Sequence, residues 1–299
     1  MTAVSLPHIS IVIPAYNEAL TLGRVLDGIA ALSLDAETIV VDDGSTDATA
    51  AVAQEREEVR VIQHPYNIGN GAAVKSGIWA ARGAVIVLMD GDGQHRPVDI
   101  PRLVAGVERF DMVVGARTAD SDAAVHRTLA NSLYNAIASY IVGRPVKDLT
   151  SGFRAIRAPI AKRFVHFLPN GFSYPTTLTL ALFRAGHSVH YEPIVAPARE
   201  GSSKIRLLHD GLGFLLTLLR IGTLFAPLKI FLPVAVALFG LGVGYGAYLL
   251  IFVHRFTNMP VLLILIGILM FMLGLISEQI ALLRMAQAGP HHHDPPREP

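Results

Sequence analysis

The sequence predicts an α/β domain with a mainly parallel sheet, followed by an amphipathic interface helix region and a two-helix transmembrane hairpin. Three observations support this prediction. Short apolar, β-branched runs alternate with helical stretches through the first two thirds of the chain, an order typical of a parallel sheet covered by helices. The last third contains two long apolar runs. The mean hydropathy is +0.44, and the apolar excess lies in that last third.

The predicted boundaries divide the 299 residues into four parts. The α/β domain covers 1–203, the amphipathic region 204–229, the hairpin 230–285 and a disordered tail 286–299. The three consecutive histidines of the tail indicate composition or a tag rather than a metal site.

Composition excludes several classes of protein. The 25 Lys and Arg residues nearly balance the 24 Asp and Glu residues, so no nucleic-acid partner is expected. The absence of cysteine excludes disulfides and thiolate metal sites. Arg outnumbers Lys 20 to 5, which together with the Ala and Gly content favours a bacterial source.

Five apolar runs predict the strands of the sheet. They are HISIVIP (8–14), ETIVVDD (37–43), VRVIQH (59–64), AVIVLMD (84–90) and DMVVGAR (111–117). Helical stretches such as TLGRVLDGIAAL (21–32) and GAAVKSGIWAAR (71–82) separate them. Because ligands bind at the carboxyl ends of parallel strands, the polar segments PAYNE, DDGSTD and DGDGQ that follow three of these runs predict a binding site.

The segment DGDGQ is suited to hold a divalent cation. Asp90 and Asp92 come directly after a buried strand, and both can reach one cation if the chain turns between them. Gly91 and Gly93 make such a turn easy. Carboxylate oxygens are the ligands that Mg²⁺ and Mn²⁺ prefer. The alternative is a solvent-exposed acidic turn.

Residues 230–253 and 260–283 are predicted to cross a membrane. Each run has 24 residues, more than the roughly 20 that span a bilayer core of about 30 Å as a helix. A pair of buried core helices is the alternative, and it would need a much larger soluble partner. GxxxG spacing at Gly240 and Gly244, and again at Gly242 and Gly246, permits close helix contact and suggests a homo-oligomer through the hairpin.

Positive charges predict the orientation of the hairpin. The basic residues before the first span are Lys204, Arg206, Arg220 and Lys229, and Arg284 follows the second. Only Arg255 lies in the turn, so both ends should face the cytoplasm. The amino terminus lacks the pattern of a signal peptide, and 204–229 has the apolar spacing of a helix lying on membrane lipid. We therefore expect a multi-pass protein of a bacterial inner membrane with a cytoplasmic α/β domain.

Five motifs in order resemble family 2 glycosyltransferases of GT-A fold. They are IVIPAYNEALTL, IVVDDGSTDAT, NIGNGAAVKSG, LMDGDGQHRPVDI and TSGFR. The membrane module behind them resembles the branch that contains dolichyl-phosphate mannose synthases and bacterial polyprenyl-phosphate sugar transferases. The resemblance covers nearly all of residues 8–285.

The resemblance implies a nucleotide-sugar site with a metal. The residues expected to bind the donor are Pro14, Tyr16, Glu18, Val41, Asp43, Asp90, Gly91, Asp92 and Gln94. Of these, Asp90, Asp92 and Gln94 would hold Mg²⁺ or Mn²⁺. Read without the family, DDGSTD is a turn in which Ser45 or Thr46 caps the next helix. The segment NIGNGAAVKSG does not fit the order of a phosphate-binding P-loop, so we expect a helix amino terminus that shapes the pocket, with Lys75 at the surface.

On the acceptor side, the resemblance places residues that would bind phosphate. They are Arg117, Arg127, Ser151, Arg154 and Lys204, and Asp92 and Arg154 are the expected catalytic residues. A membrane-surface role competes for the basic residues, since they also attract anionic headgroups. Asp148 lies near the position where relatives that use a hydroxyl carry a base, and we expect it to be structural here, for example by holding one of the arginines.

The resemblance implies inverting transfer of a sugar from a UDP- or GDP-linked donor to a polyprenyl phosphate. Two alternatives stay open at this point: transfer to a sugar or lipid hydroxyl, and a catalytically silent membrane scaffold that keeps the nucleotide pocket. The QxxRW element of processive polysaccharide synthases is absent. No motif identifies the sugar.

The cysteine-free sequence allows a direct test of topology. We expect Thr257→Cys to react with a membrane-impermeant maleimide from outside intact cells and Ser45→Cys to react only after lysis. Labelling in the reverse pattern would contradict the cytoplasmic assignment.

Overall fold

The computed structural model describes residues 8–118, 125–171, 173–196, 219 and 222–287, with the backbone alone for 125–131 and 285–287. The chain separates into two compact units, Met1–Ile205 and Arg206–Pro299. Lys204, most of the predicted amphipathic region and nearly all of the predicted tail lie outside the described residues, as does the side chain of Arg127.

The first unit is built on a seven-stranded sheet. Its strands are β1 (Ile9–Ala15), β2 (Ala36–Asp42), β3 (Val59–Gln63), β4 (Val85–Leu88), β5 (Met112–Arg117), β6 (Arg154–Arg157) and β7 (Val189–Ile194). The strand order is β3-β2-β1-β4-β6-β5-β7. All neighbours pair in parallel except β6, which is antiparallel to both β4 and β5. The prediction of a mainly parallel α/β sheet is confirmed.

In the described part of this unit, seven helices accompany the strands. They are α1 (Ala19–Ala30), α2 (Thr49–Gln54), α3 (Asn70–Ala80), α4 (Ile100–Gly106), α5 (Val125–Val142), α6 (Ala158–Phe164) and α7 (Tyr174–Arg184), with 3₁₀ turns at Pro97–Asp99 and Val165–Phe167. Strand β1 is buried along its whole length, which explains why its sequence is almost continuously apolar.

Helices pack against β1 from both faces. On one face, α1 buries Leu22, Val25, Leu26 and Ile29, a spacing that places all four on one side of a helix. On the other face, a side chain at Gly77 of α3 would collide with Val12 of β1. Glycine at that position therefore lets α3 approach the sheet closely and brings its amino terminus to the carboxyl ends of the strands.

The second unit contains the two apolar helices. Helix α8 (Pro227–Tyr248) continues through a π-helical turn at Leu249–Val253, and α9 covers Asn258–Gln287. The stretches Pro227–Val253 and Asn258–Arg284 are long and apolar enough to cross a membrane, with mean hydropathies of 2.1 and 2.8. They match the two predicted spans within three residues at each end.

The two GxxxG pairs of α8 have different surroundings. An added Cβ at Gly242 would lie 2.8 Å from Ile264 of α9, and one at Gly246 would lie 3.2 Å from Pro260. An added Cβ at Gly240 or Gly244 would meet no atom within 4 Å. Gly242 and Gly246 thus permit close contact within the hairpin, and the oligomer inferred from GxxxG spacing stays a prediction.

Asp111 joins three strands at the edge of the sheet opposite the polar loops. Its Oδ2 accepts hydrogen bonds from the backbone N–H and the hydroxyl of Ser188, at 2.9 and 3.1 Å, and lies 3.2 Å from His187 Nδ1. Its Oδ1 lies 3.8 Å from Arg157 Nε of β6. Burial alone would raise the pKa of Asp111, but the hydrogen bonds of His187 and Ser188 and the charge of His187 lower it to about 2.

We expect Asp111→Asn to destabilise the protein by roughly 1–3 kcal/mol near pH 6. A carboxylate whose pKa is lowered stabilises the fold above its unfolded pKa, and the contribution is lost as pH falls from about 4 to about 2. The difference in unfolding temperature between wild type and variant should therefore shrink over that interval. Asp35→Asn, at a side chain 80% exposed, is the control, and a pH-independent difference for Asp111→Asn would contradict the prediction.

Candidate active site

A cavity of about 460 Å³ lies at the carboxyl ends of the first strands. Seven of the nine residues expected to bind the donor line it: Pro14, Tyr16, Glu18, Asp43, Asp90, Gly91 and Asp92. A second cavity, of about 520 Å³, lies between α1 and segment 92–98 and contains only Asp92 from that set. The first cavity is the candidate site because it brings four separate motifs together.

Two predicted donor residues do not line this cavity. The Val41 side chain is fully buried inside the sheet, because alternate residues of a covered parallel strand point into the core. Any contact of Val41 with a nucleotide would therefore come from its backbone. Gln94 donates its backbone N–H to Asp92 Oδ1 at 3.1 Å, and its role as a metal ligand stays a prediction.

Asn17 joins the loop after β1 to the loop after β2. It has a left-handed φ of 56°, donates its backbone N–H to Ser45 Oγ at 2.9 Å, and accepts the backbone N–H of Thr46 at 2.8 Å. Helix α2 begins at Thr49 with Ala48 before it and no side-chain cap. The expectation that Ser45 or Thr46 caps α2 is wrong, because both bind Asn17 instead. Tyr16, next to this bridge, is 43% exposed and lines the cavity.

The Asp43 carboxylate organises the segment that leads into α3. It accepts the backbone N–H groups of Ile68 at 3.1 Å and Gly69 at 2.7 Å, and it lies 2.7 Å from His64 Nδ1. Gly69 has a φ of +124°, a conformation that side-chain-bearing residues rarely adopt. Both Asp43 oxygens are thus engaged within the protein, and the start of α3 lines the cavity with Gly69 and Asn70.

The DGDG segment makes a tight turn at the edge of the cavity. Gly93 has a φ of +76°, and the carbonyl of Gly91 accepts a hydrogen bond from Thr21 Oγ1 at 2.8 Å. The ring of His95 stacks on Phe153 at 5.1 Å, and its Nδ1 accepts the backbone N–H of Asp90 at 3.2 Å. The turn that the sequence predicted is therefore fixed from both sides.

The donor atoms at this turn suit a hard divalent cation. Asp90 and Asp92 present carboxylates to the same cavity. Within the described ranges, no group of three or more His, Asp or Glu residues could hold a metal ion. Mg²⁺ is commonly bound by one or two carboxylates together with the phosphates of a substrate. The arrangement therefore fits a cation whose coordination is completed by a diphosphate.

Arg117 and Asp148 form a bidentate ion pair near Asp90. The Nε and Nη2 atoms of Arg117 each lie 2.8 Å from an Asp148 oxygen, and Nη2 also donates to Thr150 Oγ1 at 2.6 Å. The hydrogen bond to Asp148 raises the pKa of Arg117, and the charges of Asp148 and Asp90 raise it further. Burial would raise the pKa of Asp148, but its bonds to Arg117 lower it. The expectation that Asp148 holds an arginine is met by this contact.

The Arg154 side chain is enclosed by the protein. It is fully buried, and its guanidinium donates to the Ser151 carbonyl at 2.7 Å and Thr179 Oγ1 at 2.7 Å. Ser151 is also buried, and its hydroxyl donates to the Gly115 carbonyl at 2.6 Å. Both side chains are thus engaged within the protein, and the phosphate-binding role expected of them stays a prediction. In the structure, Ser151 and Arg154 of the TSGFR motif hold neighbouring backbone segments in place.

Several residues that shape the site were missed by sequence reasoning. Asn17 and His64 bridge loops whose proximity only the folded sheet creates, and His95 stacks on a phenylalanine 58 positions away in the chain. The histidine adjoining DGDGQ was the one available signal, since a polar ring beside a metal-binding turn is a candidate support for that turn.

Two family models match the chain. The model described as glycosyl transferase family 2 matches residues 10–164, and the model of the GtrB C-terminal hairpin matches residues 226–283. Together they account for both the α/β unit and the two apolar helices.

Curated relatives resemble the chain at different lengths. The undecaprenyl-phosphate 4-deoxy-4-formamido-L-arabinose transferase of Photorhabdus laumondii is 30% identical, and the alignment covers 94% of this chain and 90% of that protein. The dodecaprenyl-phosphate galacturonate synthase of Rhizobium johnstonii is 35% identical over 52% of this chain, which spans 49% of that relative. The undecaprenyl-phosphate mannosyltransferase of Micrococcus luteus is 33% identical over 65% of this chain and 86% of that protein.

The solved structures show the same fold. The glucosyl-3-phosphoglycerate synthase of Mycobacterium tuberculosis, in complex with Mn²⁺, UDP-glucose and phosphoglyceric acid, is 24% identical to the chain with a TM-score of 0.59. The superposition covers 72% of this chain and 80% of that one. Because the family model matches half of the sequence and one relative aligns along nearly all of it at 30% identity, the chain belongs to glycosyltransferase family 2.

Proposed function

We propose that this protein transfers a sugar from a nucleotide-diphosphate-sugar to a polyprenyl phosphate at the cytoplasmic face of the membrane, with inversion and with a divalent cation. The observation that carries the proposal is that two carboxylates, Asp90 and Asp92, line one cavity, and that Arg117 lies close enough to feel the charge of Asp90. The names of the relatives and the matched hairpin support the lipid phosphate as acceptor.

The donor side of the cavity supplies cation binding and walls for a nucleotide. Asp90, Asp92 and Gln94 would hold Mg²⁺ or Mn²⁺, which neutralises the charge that develops on a departing diphosphate. The exposed Tyr16 ring offers a stacking face to the base, and Glu18 offers an acceptor for ribose hydroxyls. The Mn²⁺ and UDP-glucose complex of the M. tuberculosis synthase supports a metal with a nucleotide donor. UDP and GDP both stay candidates.

The acceptor side favours a nucleophile that arrives already ionised. A hydroxyl needs a base to take its proton, whereas a phosphate monoester has a second pKa of about 6 and is largely deprotonated near pH 7. The carboxylate that could have been such a base, Asp148, is bound to Arg117 through both oxygens and has a lowered pKa. Arg117 is then the group that we expect to position the phosphate. Attack opposite the leaving diphosphate then converts an α-linked donor into a β-linked product.

Asp92→Asn is the first test of the cation. Removing one carboxylate should slow transfer by roughly 100-fold or more while leaving the unfolding temperature almost unchanged, since the side chain is in a partly exposed loop. Asp35→Asn is the control for loss of one acid. Transfer by Asp92→Asn at the wild-type rate, or undiminished wild-type transfer in excess EDTA, would refute the role of the cation.

The second test compares acceptors. With a panel of UDP- and GDP-linked sugars as donors, we expect transfer to undecaprenyl phosphate and none to undecaprenol, which carries a hydroxyl in place of the phosphate. Equal transfer to the alcohol would favour a hydroxyl acceptor, and no transfer from any donor would favour a silent scaffold.

The same assay tests whether the Arg117–Asp148 pair contributes to binding of the acceptor. The double variant Arg117→Met with Asp148→Asn removes both partners, so neither charge is left buried and unpaired. We expect it to raise the KM for undecaprenyl phosphate at least tenfold and to change the KM for the donor less than threefold. An unchanged acceptor KM would show that Arg117 does not bind the phosphate.

A further inference from the structure

A small space behind Asp90 is shared by a carboxylate oxygen and a buried tyrosine hydroxyl. A Cβ placed on Gly152 would lie 2.5 Å from Asp90 Oδ2 and 3.1 Å from Tyr174 Oη. The two oxygens therefore border the same point, on the side where Gly152 has no side chain. Neither Gly152 nor Tyr174 was singled out as a site residue by the sequence.

The tyrosine hydroxyl is unusual because it is buried without a partner. Tyr174 stands at the start of α7 and is 1% exposed. Its Oη makes no hydrogen bond within the part of the chain that the structure describes. A buried hydroxyl without a partner is unfavourable, so its position beside a carboxylate calls for an explanation. A tyrosine hydroxyl carries its proton near neutral pH, so the group can donate it.

His95, which also contacts Asp90, does not donate a hydrogen bond to the Asp90 carboxylate through Nδ1. His95 Nδ1 accepts the backbone N–H of Asp90 at 3.2 Å and lies 3.8 Å from Asp90 Oδ2. A nitrogen that accepts a hydrogen bond offers no proton, so His95 Nδ1 fixes the backbone of Asp90 and not its carboxylate.

We propose that Tyr174 is a positioning residue whose hydroxyl donates to the Asp90 carboxylate when the divalent cation binds and holds it in the orientation that the cation needs, with Gly152 leaving the space for that contact. The inference rests on the proposed function, because it assigns Asp90 a metal. Hydrogen bonds that orient metal-binding carboxylates typically change metal affinity by about 10- to 100-fold when removed.

The test uses the full-length protein in detergent and direct Mn²⁺ binding, measured by electron paramagnetic resonance with and without UDP. Tyr174→Phe should weaken Mn²⁺ binding about tenfold without lowering the unfolding temperature, since the hydroxyl it removes has no partner among the described residues. Gly152→Ala should weaken Mn²⁺ binding at least as much, because its Cβ would displace Asp90 Oδ2. Asp90→Asn identifies the signal that belongs to this site.

Tyr191→Phe is the matched control. Tyr191 also buries its hydroxyl in the same unit, near Arg154 and Asp148 according to the charges that act on it. The Mn²⁺ affinity of Tyr191→Phe should equal that of wild type. Wild-type affinity in Tyr174→Phe, an equal loss in Tyr191→Phe, or a wild-type protein that binds no Mn²⁺ would overturn the inference.

A parallel assay of sugar transfer separates this inference from the proposed function. Transfer by wild type, together with unaltered Mn²⁺ affinity in Tyr174→Phe, would refute the role of Tyr174 alone. If wild type transfers no sugar to undecaprenyl phosphate while Tyr174→Phe still lowers Mn²⁺ affinity tenfold, the proposed acceptor is refuted and the role of Tyr174 stands.

Discussion

The buried guanidinium of Arg154 fixes the segment on which both sides of the active site depend. It donates to the carbonyls of Leu149 and Ser151, at 3.2 and 2.7 Å, and to Thr179 of α7 at 2.7 Å. The segment between Asp148 and Gly152 is therefore tied to the first turns of α7. Because Asp148 binds Arg117 at one end of it and Gly152 faces Asp90 at the other, one side chain fixes the segment that contacts both Arg117 and the Asp90 turn.

Burying that charge is unfavourable, and the surroundings of Arg154 show how the protein tolerates it. Desolvation lowers the pKa of Arg154, while the nearby charges of Asp148 and Asp90 act in the opposite direction. Breaking a buried, hydrogen-bonded charge by removing one partner typically destabilises a protein by about 3–5 kcal/mol. Loss of activity in Arg154→Ala would thus report misfolding of the 148–152 segment. The motif is tied to function through the geometry it imposes rather than through contact with a substrate.

The sequence was most informative where burial dictates composition. Strands β1 to β5 and both apolar helices follow from continuous apolar runs, and the location of the site follows from the edge at which parallel strands end. Strand β6 was missed because RAIR is four residues long and begins and ends with arginine, so no apolar run announces it. The burial of the Val41 side chain could not be foreseen, because a motif gives a position along the chain and not the direction of a side chain. Tyr174 could not be recognised, since an aromatic residue near a helix start is ordinarily core and only the fold brings it to Asp90.

Four aspartates of the α/β unit show how similar residues acquire different chemistry. Asp43 and Asp148 have both oxygens engaged by donors from the protein, and they organise loops. Asp90 and Asp92 come from a turn whose backbone is fixed by Thr21 and His95. Both residues line the cavity. A carboxylate with a lowered pKa that is paired to arginine is a weak proton acceptor, so Asp148 cannot readily activate a neutral acceptor. An acceptor that is already ionised does not need such a base, and a phosphate monoester meets that requirement near neutral pH.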